Sequence, residues 1–336
     1  MTKTSVFGIE TDGQGLHNPS VSMNWQGKRI LIVGDVMLDK YIFGEVERIS
    51  PEAPVPIVSV RKESFVPGGA ANAASNVAAM EGCALLVGIV GNDIAKDILI
   101  KELQKRDIDV RGLVTDSAKP TIQKIRVLGQ SQQLLRIDYE DSASANGAVA
   151  KQLIDAIAKW ERLDCIIVSD YAKGTITEGL LKVLKDMAKS RKIPLIIDPK
   201  PQHKSWYRGC ALITPNRKEA EEMAGIKLNT LEEVEQAGKK LAEELDCHVL
   251  LTRGEKGISL FEKGKQGVHI PTVAKEVYDV SGAGDTVIAT LALALSSGIA
   301  LRQAAVLANQ AAGIKVGKIG TAPVSLKELQ HESHLL

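Results

Sequence analysis

Arg29-Ile30-Leu31-Ile32-Val33-Gly34-Asp35 is a run of four branched aliphatic side chains closed by Gly-Asp. A run this short, apolar on both sides, reads as a strand buried on both faces. Such strands belong to parallel sheets covered by helices, so Asp35 is expected at the carboxyl end of a central strand. Apolar runs at 84–90, 164–168, 194–198, 211–213 and 247–252 repeat the pattern. Helical periods fall at about 69–81, 94–106, 146–160, 178–190, 216–225, 231–245, 283–297 and 301–316. The alternation predicts a doubly wound, mostly parallel α/β sheet.

Two stretches break the rhythm. Tyr41-Ile42-Phe43 and Pro54-Val55-Pro56-Ile57-Val58-Ser59-Val60 suggest short strands whose prolines exclude a central position. Residues 121–128 and 133–139 alternate with period two. Together, 41–66 and 121–139 predict a small β lid beside the main sheet, exposing Tyr41, Phe43, Ile57, Val58 and Val60. Residues 1–24, rich in Gly, Ser, Thr and Asn, have no hydrophobic period and read as a flexible tail. The folded domain is then 25–336.

The 336 residues are 44% hydrophobic, 25% charged and only 4% aromatic, with net charge +1. That balance fits a globular α/β core of Val, Ile, Leu and Ala. There is no basic stripe for nucleic acid. The longest apolar run, 287–295, is too short to cross a bilayer, and the N-terminus lacks a signal-peptide layout. Cys83, Cys165, Cys210 and Cys247 form no C-x-x-C pair and read as reduced core thiols of a cytoplasmic protein.

Four segments carry chemistry. Asp279-Val280-Ser281-Gly282-Ala283-Gly284-Asp285 leads into an apolar helix. Its glycines admit close approach, and the amides of a helix start form an anion site. Asp285 in that first turn suits a base taking a proton from a hydroxyl, or simply a helix-capping acid. Pro67-Gly68-Gly69-Ala70-Ala71-Asn72 opens a helix of small residues in which Asn72 could meet sugar hydroxyls, or which is merely tightly packed. Asn216 and Glu219, three apart at a helix start, suit the outer shell of Mg2+ or an ordinary cap. Thr252-Arg253-Gly254-Glu255-Lys256-Gly257 could run along a nucleotide's phosphates or form a β-turn. There is no Walker A, G-x-G-x-x-G or H-E-x-x-H pattern.

In this order, the segments resemble the ribokinase/PfkB family of carbohydrate kinases, from about residue 29 to 321. The resemblance implies ATP and Mg2+ as cofactors and assigns roles. Asp285 matches the catalytic base, and Gly282, Ala283 and Gly284 the backbone anion hole. Asn216 and Glu219 match the segment that organises Mg2+ through water. Thr252, Gly254 and Gly257 match the nucleotide-side loop, and Asn309 the adenine region. Asp35, Gly69 and Asn72 match sugar-hydroxyl binders. Val280-Ser281 departs from the usual D-T-x-G-A-G-D, which leaves a monovalent cation near Asp279 an open addition.

A narrower resemblance rests on Gly34-Asp35-Val36-Met37-Leu38-Asp39-Lys40-Tyr41, Arg48-Ile49-Ser50-Pro51-Glu52-Ala53-Pro54-Val55-Pro56, Ser169-Asp170-Tyr171-Ala172-Lys173-Gly174 and Asp198-Pro199-Lys200. These look like the heptose 7-phosphate kinases of bacterial ADP-heptose synthesis. Their relatives are often fused to an adenylyltransferase with an H-x-G-H motif. No such motif occurs here, so the chain is similar to a stand-alone kinase or to the kinase half. Asp170, Arg136, Lys173 and Lys124 are the candidates for the substrate and its remote phosphate, and the lid is expected to form a homodimer. Kinases of fructose 6-phosphate, ribose or nucleosides, and a non-catalytic sugar-phosphate sensor, are the alternatives.

Overall fold

The computed structural model describes residues 23–130, 132–274, 277–318 and 322–333. The expected tail therefore lies outside the described residues apart from its last two positions. Of these, Met23 packs against the core, beside the fully buried Trp25.

The chain starts with β1 (Arg29–Gly34), which passes through Asp35 directly into β2 (Val36–Ile49). Then β3 (Pro56–Gly69) returns antiparallel and runs into α1 (Ala70–Ala79). Next come β4 (Cys83–Val90), α2 (Ile94–Gln104), β5 (Asp109–Thr115), β6 (Ile122–Gly129), β7 (Gln132–Tyr139), α3 (Gly147–Ala158), β8 (Cys165–Ser169) and α4 (Glu178–Arg191). The rest is β9 (Leu195–Asp198), β10 (Leu212–Ile213), α5 (Arg217–Ala224), α6 (Leu231–Leu245), β11 (His248–Thr252), β12 (Ile258–Phe261), β13 (Val268–Ile270), α7 (Ala283–Ser296), α8 (Leu301–Val316) and α9 (Leu326–Ser333).

Nine strands form one sheet in the order β13-β12-β11-β10-β9-β8-β1-β4-β5, parallel except for the β11-β12-β13 edge. Alternation along β1 shows why it needs cover on both faces. Ile30 and Ile32 join Leu86, Ile167 and Leu250 beneath α1, α7 and α8. Leu31 and Val33 join Val87, Val168 and Leu251 beneath α3 to α6. The sequence reading missed β5, the β12–β13 hairpin and α9. The charges in Asp109-Val110-Arg111 and the brevity of the other elements hide them. Cys165, Cys210 and Cys247 are buried free thiols and Cys83 is half-buried. Among the described residues, no helix is long and apolar enough to cross a membrane.

The second sheet has the order β3-β2-β6-β7. Its proline-bearing strand, β3, lies at an edge, where missing amide donors cost no ladder bond. The strands are longer than the expected short ones: β2 and β3 have 14 residues each, bent by irregularities at Phe43/Gly44 and Val46/Arg48. Charged residues such as Arg61, Lys62 and Glu63 blur the pattern in sequence, yet an open sheet accepts them on a wet face.

Paired residues share a face. The register puts Asp39, Tyr41, Lys124, Arg126, Arg136 and Asp138 on one side, and Ile42, Ile125, Val127, Leu135 and Ile137 on the other, together with the paired Lys40 and Glu63. The first side is knit by ion pairs, and the second ends in the exposed side chains of β7. Of the five apolar residues expected to be exposed, Val60 is. Tyr41, Phe43, Ile57 and Val58 are half-buried, and the exposed large apolar side chains here are Ile49, Val55 and Val60 of the hairpin and Leu134, Leu135, Ile137 and Tyr139 of β7.

Candidate active site

Two helices deliver the central carboxylate. Small residues along α1 let it lie against α7, and three contacts one turn apart zip them together. Asn72 Nδ2 donates to Asp285 Oδ2 at 2.6 Å, Thr286 Oγ1 donates to Asn76 Oδ1 at 2.8 Å, and Thr290 Oγ1 reaches Met80 Sδ at 3.6 Å. Asp285 is buried in the first turn of α7. Burial pushes its carboxyl up to about 6, against the hydrogen bonds from Asn72 and Tyr171.

The turn before it fits an anion. The first i to i−4 bond of α7 runs from Thr286 N–H to Gly282 C=O at 3.1 Å, so the amides of Gly284 and Asp285 precede the helical ladder. Ala283 N–H already reaches Val280 C=O at 3.3 Å. Gly282 has φ 78°, and a Cβ there would come within 2.7 Å of Asn72 Nδ2, whereas one on Gly284 would meet open space. The segment is held from behind: Tyr278 and Asp279 N–H donate to Val316 C=O at 2.8 and 3.2 Å, and the buried Lys315 lies beneath Gly282.

Asp35 sits between β1 and β2 and accepts amide hydrogen bonds from Tyr171, Lys173 and Thr175 at 2.9, 3.0 and 3.0 Å. Three of its acceptor sites are thus taken by backbone amides. What it does here is hold the 171–175 loop, which brings Tyr171 Oη to 3.4 Å from Asp285 Oδ1. Burial and the charge of Asp285 raise the Tyr171 phenol well above its usual range, so it keeps its proton and donates. Asp170 is buried and taken up by Ala172 N–H (2.7 Å), Tyr207 Oη (2.7 Å) and His203 Nδ1 (2.7 Å). Gly69 ends β3 and precedes α1.

Across the site, Asn216 caps α5. Its Oδ1 accepts from Glu219 N–H at 3.0 Å, and Glu219 Oε2 accepts from Asn216 N–H at 2.9 Å. Glu219 Oε1 accepts from Lys200 Nζ. Lys200 follows Asp198, the last residue of β9, whose carboxyl is raised well above the usual range by burial and then by the charges of Glu219 and Asp285. Thr252 pairs with Asn216 in a lone parallel bridge, and Gly254 and Gly257 bracket the turn beyond it. Asn309 Nδ2 donates to Pro271 C=O at 2.7 Å, tying α8 to the end of β13. Asp35, Asp170, Asp198, Asn216 and Thr252 therefore all lie at carboxyl ends of parallel strands, where α/β sheets bind ligands.

The expected cations lie apart from the base. Lys173 pairs with Glu140 at 2.6 Å, and Arg136 and Lys124 pair with Asp138 at 2.9 and 3.5 Å. Arg136 and Lys124 do share a sheet face with Asp39, a buried acid the sequence reading passed over. Asp39 pairs with Arg126 at 2.5 Å and adds its charge to Asp285.

A model of the pfkB family carbohydrate kinases matches residues 28–328. The chain belongs to that family. As a pfkB-family member it is a sugar kinase, a phosphotransferase. It is 45% identical over 302 residues to the Bifunctional protein HldE of Geobacter sulfurreducens, covering 89% of this chain and 61% of that protein. It is 46% identical over 302 residues to the HldE of Pseudomonas aeruginosa strain UCBPP-PA14, covering 90% and 62%. The chain thus spans about three fifths of the length of these relatives. Among solved structures, Arabidopsis thaliana ribokinase with ribose and ATP matches at TM-score 0.71 and 19% identity, covering 92% of this chain and 99% of that one. Escherichia coli phosphofructokinase-2 with substrates and products matches at 0.76 and 18%, with the same coverage. At these identities the likeness is one of fold.

The oxygen donors of Asn216 and Glu219 suit Mg2+, which keeps most of its waters and leans on phosphates. No three acidic, histidine or cysteine side chains converge into a metal cage among the described residues. A cap alone is worth about 1 kcal/mol, and glutamine keeps an acceptor oxygen for it. Glu219→Gln should therefore scarcely move Tm, while the Mg2+ concentration for half-maximal rate rises several-fold and kcat drops about tenfold. An unchanged Mg2+ titration would leave Glu219 a cap and nothing more.

Besides Asp39, the residues missed in sequence are Tyr171, Asp198 and Lys200. All three lie in quoted motifs, but only the carboxyl-end location of those motifs pointed to the site. Their partners come from distant strands.

Proposed function

We propose that the chain catalyses ATP-dependent phosphorylation of the anomeric C1 hydroxyl of D-glycero-β-D-manno-heptose 7-phosphate. The product would be the 1,7-bisphosphate, a precursor for ADP-heptose and the lipopolysaccharide core. The observation that carries the reading is Asp285, a buried carboxyl raised to about 6 beside free helix-start amides. A base poised there is ionised at neutral pH yet basic enough to take a hydroxyl proton. Asn72 and Tyr171 orient it by donating to its two oxygens. The amides of the Gly282–Gly284 turn would hold the negative oxygens of the phosphoryl group during transfer. Asn216 and Glu219 would hold Mg2+ through water, and the metal would screen the nucleotide's phosphate charge. Thr252, Gly254 and Gly257 would line the phosphates, and Asn309 the base.

The charged face of the four-stranded sheet supports a lid role. Arg136, Lys124 and Lys173 are the groups we assign to the remote phosphate, released from Asp138 and Glu140 when it binds. The choice of heptose is supported by the quoted motifs and by the HldE relatives, which are bifunctional by name and longer than this chain. The same reading makes the chain a cytoplasmic homodimer joined through its lids.

ADP release measured against heptose 7-phosphate, fructose 6-phosphate, ribose and a nucleoside decides the acceptor. Heptose 7-phosphate should exceed the others in kcat/KM by at least two orders of magnitude. Equal or greater turnover of another sugar would move the assignment to it.

A further inference from the structure

We propose that Lys200 is a catalytic cation that leaves Glu219 and donates to the phosphoryl group as it transfers. The proposal rests on the placement of the nucleotide at Asn216 and Glu219 but not on the identity of the sugar. Lys200 begins the 3-10 helix region after β9, and its ammonium spans the two halves of the site. On one side it pairs with Glu219. On the other it lies 5.3 Å above the ring of Tyr171, whose hydroxyl meets Asp285. Its charge acts on Glu219, Asp198 and Asp170, and on Asp285 itself.

The charge inventory shows why such a cation is needed. Glu219, Asp285 and Asp170 all act on Asp198, and Asp39 adds its charge to Asp285, so negative charge gathers between the two halves of the site. Arg126 is committed to Asp39 and Lys173 to Glu140, on the sugar side, and the buried Lys315 lies beneath Gly282, where its charge acts with Asp279 and Asp285. Lys200 stands on the nucleotide side, its side chain 30% exposed on a flexible four-carbon stem. When it leaves, Glu219 still accepts from Asn216 N–H through Oε2, so no carboxylate is stranded. Glu219 Oε1 would then be open to accept from a water of the Mg2+ it is proposed to hold. Lys200 stays protonated throughout and donates N–H without transferring a proton.

The test uses Lys200→Met and Lys200→Arg with two readouts. Calorimetric titration in EDTA compares ATP with ADP, which lacks the phosphoryl group in question. Lys200→Met should weaken ATP about tenfold and leave ADP within twofold. Its kcat should fall roughly 10²–10³-fold, the usual cost of one transition-state donor. Lys200→Arg should recover part of both. ATP and ADP weakening by one common factor, or a methionine variant with kcat within threefold of wild type, would overturn the role. The binding arm needs no acceptor. If the wild type phosphorylates no sugar in the panel but the ATP–ADP contrast appears, the substrate assignment fails and the role of Lys200 stands.

Discussion

Asp285→Asn should lower kcat by roughly 10²–10⁴-fold while nucleotide affinity stays within a few-fold, because the variant loses the proton acceptor and keeps the anion site. More than about half of wild-type kcat in this variant would remove Asp285 from the role of base. The same carboxyl sets a pH limit. With its folded value raised to about 6, the acidic limb of kcat/KM should bend near pH 6, since the protonated form cannot accept. The stability effect has the opposite sense. A carboxyl raised on folding is more easily protonated in the native state. Its contribution favours folding below about pH 4, the ordinary carboxylate range, and is lost as pH rises to about 6. At neutral pH, Asp285→Asn should therefore melt no lower than wild type, and a differential scan at pH 7.5 reads this directly.

The second large effect concerns assembly. Leu135 and Ile137 lie on the face opposite Asp39 and Arg126, which also carries the Lys40–Glu63 ion pair, and both are exposed, with Tyr139 beyond them. A wet apolar face of this kind invites a twin across a twofold axis. The double variant Leu135→Glu with Ile137→Glu would bury two carboxylates in each half of that junction. At several kcal/mol per unpaired buried charge, dimer affinity should fall by more than 10³-fold. Light scattering should show a dimer for wild type and a monomer for the variant at micromolar concentration, with kcat/KM reduced as the lids lose support. A wild type that is already monomeric, or a variant that stays dimeric and fully active, would overturn the lid junction.

The central architecture was legible because its signals are local. Ile30 to Val33 read as a doubly covered strand whatever lies beside them, and each covering helix carries its own period and cap. The turn before Asp285 was legible for the same reason: glycines and a helix start need no distant partner to form an anion site. The proton affinity of Asp285 was not legible, since it depends on burial against α1 and on Tyr171, 114 positions away. Asn72 read as a sugar ligand because an amide offers donors and acceptors, but nothing in the chain order reveals that one of its N–H groups donates to Asp285. Asp35 and Asp39 stand four apart, the first between β1 and β2 and the second within β2. Only the folded chain shows that three amides claim the first while the second pairs with Arg126 on the charged face. The long hairpin was cut short by Gly44 and the charges of β3, which cross-strand pairing accommodates.

That hairpin is anchored at both ends in the reaction centre. It departs one residue after Asp35, which carries the Tyr171 loop, and returns at Gly69, three residues before Asn72. The two donors that orient Asp285 thus stand at the two roots of one hairpin, Tyr171 through the loop that Asp35 holds and Asn72 through the first turn of α1, so the strands that reach farthest from the base also frame it.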